Sequence, residues 1–156
     1  MVIHLRKLVV CIALPLIVGW ISSLITQGSM EVFETINKPY LSPPGWVFPV
    51  VWTILYILMG IASYIVLTSG QSQYKIKMAL AVYLIQLAFN FVWPIIFFNA
   101  QKYLLAFVWL IVLWVLILIT TVLFGNISKT AGKLMIPYLL WVTFAGYLNY
   151  SIYMLN

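Results

Sequence analysis

The residue types that carry acid–base, metal or nucleophilic chemistry are nearly missing from this chain. Its one histidine is His4, its one cysteine is Cys11, and its only carboxylates are Glu31 and Glu34. Both carboxylates stand between apolar stretches rather than inside one. That excludes paired-carboxylate general acid–base catalysis, which needs positioned titratable groups in a site. It also argues against a proton-coupled carrier built on an intramembrane acid. No metal, nucleophile or phosphate-loop spacing occurs, and no cofactor is expected. Cys11 has no disulfide partner and reads as a small packing residue. His4, ahead of the first apolar run, reads as a surface residue.

Aromatic side chains remain: seven Trp, ten Tyr and nine Phe. Their chemistry is stacking and apolar burial. Some, such as Tyr74 and Tyr103, suit an interfacial belt at the headgroup level. Others share helical faces with amides. At 3.6-residue periodicity Phe48, Trp52, Tyr56, Met59 and Ser63 fall together, opposite Ile54, Leu58, Ile61 and Ile65. Tyr83, Gln86, Asn90, Trp93 and Phe97 fall together, opposite Ala81, Leu84, Ala88 and Ile95. Trp141, Phe144, Ala145 and Asn149 point broadly one way. Amides inside a membrane face the bundle interior, because lipid leaves them unsatisfied. Two readings fit these faces. Either Gln86, Asn90 and Asn149 are interhelical hydrogen-bond glue, or the three faces line a cavity for a large, flat, apolar ligand.

The elements that position these faces follow from the charges. Hydrophobic residues make up 65% of the 156 residues and charged residues 6%, against roughly 25% charged in soluble domains. Arg6, Lys7, Lys38, Lys75, Lys77, Lys102, Lys129 and Lys133, with the two acids, separate five uncharged stretches: Leu8–Met30, Pro39–Tyr74, Met78–Gln101, Tyr103–Ser128 and Leu134–Asn156. Each exceeds the roughly 20 residues a helix needs to cross a bilayer. In hydrocarbon such runs must be helical to satisfy their backbone. The expected fold is an all-α integral membrane protein, a bundle of five transmembrane helices in one domain over 1–156. The helices are expected near 8–26, 44–68, 77–98, 103–124 and 133–154, with a long first loop over 27–43 that holds both acids and can fold as a lid.

The first helix carries a stripe of Gly19, Ser22, Ser23 and Thr26 that suits close helix packing. Its apolar run is too long for a signal peptide, so it is read as retained. The fourth helix, apolar all round over Val108–Ile119, reads as lipid-facing on most sides. The net charge of +6 is not a nucleic-acid footprint, because the charges punctuate spans instead of clustering. Arg6, Lys7, Lys75, Lys77, Lys129 and Lys133 fall on one side of the membrane, Lys38 and Lys102 on the other. The positive-inside rule then places the N-terminus in the cytoplasm and the C-terminus outside.

Three blocks of this sequence resemble the tryptophan-rich sensory protein family, also called the translocator protein or peripheral benzodiazepine receptor family. The first is Lys38-Pro39, then Ser42-Pro43-Pro44-Gly45-Trp46-Val47-Phe48-Pro49-Val50-Val51-Trp52 through Tyr56, Met59-Gly60 and Tyr64. The second is Asn90-x-x-Trp93 with Phe97-Phe98, and the third is Pro137-Tyr138-x-x-Trp141-x-x-Phe144-Ala145-x-x-Leu148-Asn149. The resemblance covers nearly the whole chain. It implies a five-helix bundle in a membrane, the cell membrane being favoured, often as a homodimer. It also implies a pocket between the first loop and helices 1, 2, 3 and 5 for porphyrins, for sterols in some members, and for benzodiazepine-type compounds. Carried over by motif, the ligand-binding candidates are Trp52, Asn90, Trp93, Trp141, Phe144 and Ala145.

Three departures from the family pattern stand out. Leu41 replaces a common tryptophan, Pro94 follows the Asn-x-x-Trp block, and no basic residue follows Tyr147, Tyr150 or Tyr153, which argues against sterol recognition there. The functions the resemblance leaves open are a tetrapyrrole receptor or carrier, with propionates near Lys38 or the start of the second helix, a light- and oxygen-dependent porphyrin-degrading activity using Trp52 and Trp141, and a structural or regulatory membrane subunit.

Overall fold

A computed structural model describes residues 2–156 as a bundle of helices running alternately up and down. The elements are α1 (Leu5–Thr26), α2 (Met30–Thr35), α3 (Val47–Leu67), α4 (Gln73–Pro94), α5 (Tyr103–Ile127) and α6 (Lys129–Leu155). Five helices are long and apolar enough to cross a membrane. All but α2 are spans, and the first and third of these run on past α1 and α4, to Thr35 and Asn99.

The helix ends differ from expectation in ways the local chemistry explains. The stretch 27–43 is not simply a loop. A 3₁₀ turn at Gln27–Ser29 leads into α2, and an irregular segment follows with turns closed by Ser42 N–H to Pro39 O (3.0 Å) and Val47 N–H to Pro44 O (3.0 Å). That second turn spends Pro44 on a reversal, so α3 starts at Val47 instead of at the expected 44. The third span begins at Gln73, four residues before the expected 77. Ser72 caps it by accepting from the Lys75 N–H (3.5 Å), and Lys75 and Lys77 sit in the first turns, where long cationic side chains reach water. Pro94 does not end this span. It has no N–H for the Asn90 carbonyl, and the helix widens into a π turn over Ile95–Asn99 before Gln101, at φ 52°, reverses the chain.

The basic segment 125–132 is almost all helix. α5 runs through Ile127 and α6 starts at Lys129, capped by Ser128 (3.5 Å to the Ala131 N–H). Gly125 and Gly132 make this hairpin possible, since a Cβ on Gly132 would come within 2.7 Å of the Gly125 Cα. Gly60 does the same between α3 and α1, where a Cβ would meet Ile12 Cα at 2.5 Å and the Cys11 carbonyl at 2.7 Å. α5 is more than a lipid-facing helix. It buries a stripe of Ala106, Leu110, Leu113, Ile117, Thr120 and Phe124, while Leu105, Val108, Val112, Val115 and Ile119 stay exposed. Its apolar sequence concealed which side faced the bundle.

α1 and α3 touch at Gly60 and again where Gly19 lies against the Tyr56 ring. Beyond that crossing, toward α2, a space is enclosed by α1, α3, α4 and α6, with α2 over its end. Asn37 ties the segment after α2 to the end of α6. Its N–H donates to Asn156 Oδ1 (3.1 Å) and its carbonyl accepts from Asn156 Nδ2 (2.9 Å). Ser29 donates to Asn99 Oδ1 (2.8 Å) and so fixes the other side.

Candidate ligand-binding cavity

The helical faces read from the sequence converge on this space, a cavity of about 630 Å³. That lies within the range of about 300–1,000 Å³ usual for small-molecule sites. α3 contributes Phe48, Trp52 and Tyr56; α4 and its π turn contribute Asn90, Trp93, Phe97 and Phe98; α6 contributes Trp141, Ala145 and Asn149. Exposed Trp20, Ser23, Pro49 and Thr53 rim it between α1 and α3. The aromatic walls are braced by one another. Trp52 stacks on Tyr56 (5.6 Å between centroids) and meets Tyr138 edge-on (6.1 Å), Trp93 stacks on Phe97 (5.2 Å), and Phe48 meets Trp141 edge-on (6.0 Å).

Of the six residues singled out from sequence, Trp52, Asn90, Trp93, Trp141 and Ala145 line the cavity and Phe144 does not. Phe144 stands behind Trp141 (5.6 Å) and against Tyr147 (6.1 Å), one position too far round α6. Asn90 and Asn149 are structural as well as cavity-lining, and Gln86 is structural alone. Tyr56 donates to Asn90 Oδ1 (2.9 Å), Asn90 Nδ2 donates to Tyr138 Oη (2.7 Å), and Tyr138 donates to Gln86 Oε1 (2.7 Å). This buried chain joins α3, α4 and α6. Asn149 accepts from Trp93 Nε1 (3.1 Å) and donates to the Tyr103 carbonyl (2.9 Å). The amides are thus interhelical glue, and two of them also border a cavity.

Sequence reasoning missed several lining residues. The stripe Gly19, Ser22, Ser23 and Thr26, read as packing, forms the α1 wall. Ser22 donates to the Phe91 carbonyl (3.2 Å) and Thr26 to the Ser22 carbonyl (3.0 Å), so these hydroxyls serve the helices first. Phe33 of α2 closes the end of the cavity, with its ring edge-on to Phe48 (6.2 Å) and Phe98 (5.5 Å). Six residues of helix are too few for a periodic signal to have marked it. Leu110 and Leu113 of α5 also line the cavity; no signal separates them from lipid-facing leucines.

Among the described residues, no charged side chain lines the cavity. Lys38, a candidate partner for propionates, is already engaged. Its Nζ donates to the Phe33 carbonyl (2.7 Å) and lies 4.5 Å from the centre of the Phe33 ring, closing the C-terminal end of α2. The Trp141 Nε1 is different: it is buried and has no hydrogen-bond partner among the described residues. An unmade buried donor costs free energy, and this one belongs to a lining residue. The site therefore offers stacking surfaces and apolar volume, and no carboxylate, histidine or cysteine is among the described residues that line it.

Comparison with known proteins agrees with this architecture. The model of the TspO/MBR family matches residues 11–155. The chain is 41% identical over 154 residues to the tryptophan-rich protein TspO of Chlorobaculum tepidum, covering 98% of each chain. It is 39% identical over 127 residues to the tryptophan-rich sensory protein of Cereibacter sphaeroides, covering 81% of this chain and 77% of the relative. It is 38% identical over 133 residues to the human translocator protein, covering 85% and 79%. A five-span helical bundle with this coverage is a multi-pass integral membrane protein, and the chain belongs to the TspO/MBR family.

Proposed function

We propose that the chain is a membrane receptor or carrier that takes up flat, apolar tetrapyrroles of the porphyrin type, with benzodiazepine-like compounds as synthetic occupants of the same cavity. The observation that carries this reading is the cavity itself: about 630 Å³, walled by Trp52, Trp93, Trp141, Phe48 and Phe97, and lined by no charge. Each aromatic contact adds about 0.5–1.5 kcal/mol beyond simple area burial. With Lys38 committed to α2, the ring system of a porphyrin occupies the cavity and its carboxylates stay solvated at the water-facing edge, which avoids the cost of burying an unpaired charge. The names of the relatives, tryptophan-rich sensory protein and translocator protein, support a sensory or transport role.

The test is a titration of the detergent-purified protein with protoporphyrin in darkness, followed by tryptophan emission and porphyrin absorbance. The expected result is saturable quenching at one porphyrin per chain. Quenching that rises linearly without saturation overturns the reading. A second reading rests on Trp52 and Trp141 both lining the cavity, because indoles are the most readily oxidised side chains there. Illumination of the same sample in air tests it: loss of porphyrin absorbance beyond that of free porphyrin supports turnover, and equal loss removes it.

A further inference from the structure

A second concavity of about 340 Å³ lies on the outer face of the bundle, between α5 and α6. Its sides are Phe107, Ile111 and Trp114 from α5 and Thr143, Tyr147 and Tyr150 from α6. Its floor is Gly146 and Leu110. Leu110 also lines the inner cavity, so this one buried side chain is the layer between the two spaces. Gly146 leaves the floor open: a Cβ there would rest 3.8 Å from Leu110 Cδ2, in ordinary contact.

We infer that this groove is a seat for one phospholipid acyl chain, held from the leaflet nearer α2. Three observations choose that occupant. First, the groove lies along the membrane-spanning part of both helices, in the half nearer Tyr103 and Leu155, so hydrocarbon surrounds it. Second, the indole N–H and the threonine hydroxyl that line it are already paired. Trp114 Nε1 donates to Thr143 Oγ1 (2.8 Å), and Thr143 donates to the Leu139 carbonyl (2.8 Å). Away from the exposed Tyr147 and Tyr150 hydroxyls the lining is apolar, and a methylene chain needs no polar partner there. Third, the groove presents nine residues, against the roughly 20–30 per side of a stable protein interface. It is too narrow for a second copy of the chain and the right shape for a strand of CH₂ groups packed on three sides, where dispersion contacts add up. The acyl chain then forms the outer wall of the cavity at Leu110.

The test uses the full-length protein in vesicles that contain a small fraction of phosphatidylcholine with a diazirine in one acyl chain. After illumination, labelled residues are mapped by mass spectrometry. The control is the exposed α4 face at Leu84 and Ile85, each 49% exposed, against 48% for Ile111 and 46% for Tyr150 in the groove. The expected result is labelling of Phe107, Ile111, Tyr147 and Tyr150 at least about threefold above Leu84 and Ile85, a modest preference on the scale where tenfold is 1.4 kcal/mol. Gly146→Leu, which fills the floor, should bring the groove down to the α4 level and leave α4 labelling unchanged. Gly146→Ala, a mild change at an open position, should lower the excess partway, which keeps the test decisive if the leucine variant fails to fold. Groove labelling equal to that of α4 in the native protein overturns the inference, and so does groove labelling below it, which would mean that protein covers this face.

Discussion

Two residues show how a membrane protein combines packing with recognition. Asn90 is the centre of the chain Tyr56–Asn90–Tyr138–Gln86 and borders the cavity as well. Asn90→Leu removes the acceptor of Tyr56 and the donor to Tyr138. Interhelical hydrogen bonds in membranes average about 0.6 kcal/mol with a maximum near 1.7, while an orphaned buried hydroxyl costs about 1–3 kcal/mol. The variant should lose about 1–2 kcal/mol of stability in a denaturing-detergent titration followed by helical circular dichroism, and an unchanged midpoint would show that the network is idle. Trp141 is the other case. Trp141→Phe keeps most of the stacking surface and removes both the unpaired N–H and the oxidisable indole. Dark porphyrin affinity should fall by less than about 1.4 kcal/mol, a factor of ten. Any light-driven porphyrin loss should be suppressed, as measured by absorbance decay. At this scale the sequence was legible where residue type was unusual for its surroundings: an amide in a lipid-embedded helix has to face inward. It was not legible at Leu110 and Leu113, because leucine is equally at home in lipid, core and cavity.

The elements are held in place by the absence of side chains at a few points. α1 crosses α3 closely because residue 60 is glycine, and α5 turns back as α6 because residues 125 and 132 are glycine. Gly60→Val should force α1 away from α3, since the obstacles are the backbone atoms Ile12 Cα and Cys11 O and not a flexible side chain. Overpacking of this kind costs about 1–3 kcal/mol. Gly28→Ala, with nothing within 4 Å of the added methyl, is the matched control and should be neutral. Thermal unfolding of the two variants in detergent checks both, and equal midpoints would contradict the proposed crossing. Helix ends were the least legible feature. Lysines at 75, 77, 129 and 133 read as loop markers, yet they sit inside the first turns of α4 and α6, because a helix can protrude from the membrane far enough to put its cationic side chains in water. α2 was hidden by its length: six residues are too few for periodicity to show without knowing what lies beneath.

For the whole molecule, the up-and-down order of five spans sets Arg6, Lys7, Lys75, Lys77, Lys129 and Lys133 at one end, with Lys38, Lys102 and both glutamates at the other. The positive-inside rule places the first end in the cytoplasm, so a reporter fused after Asn156 should be accessible from outside intact cells, and a cytoplasmic reporter would reverse the orientation. A reporter on the outside would place the α2 end of the cavity on that side as well. The spans were legible as a set because hydrocarbon leaves a chain few options. The cavity was legible only as a convergence of faces, since its volume depends on where α1 parts from α3. Its role is most directly tested by dark titration of protoporphyrin into four variants beside the native protein. Trp52→Ala and Trp141→Ala each remove a cavity wall and should weaken binding by about 1–3 kcal/mol, the scale of burying a large apolar side chain. Trp109→Phe and Trp114→Phe lie outside the cavity, one stacked on Phe89 at 4.3 Å and the other bonded to Thr143, and should leave the affinity unchanged. Equal weakening in all four, or none in the first two, would contradict a tetrapyrrole site in this cavity.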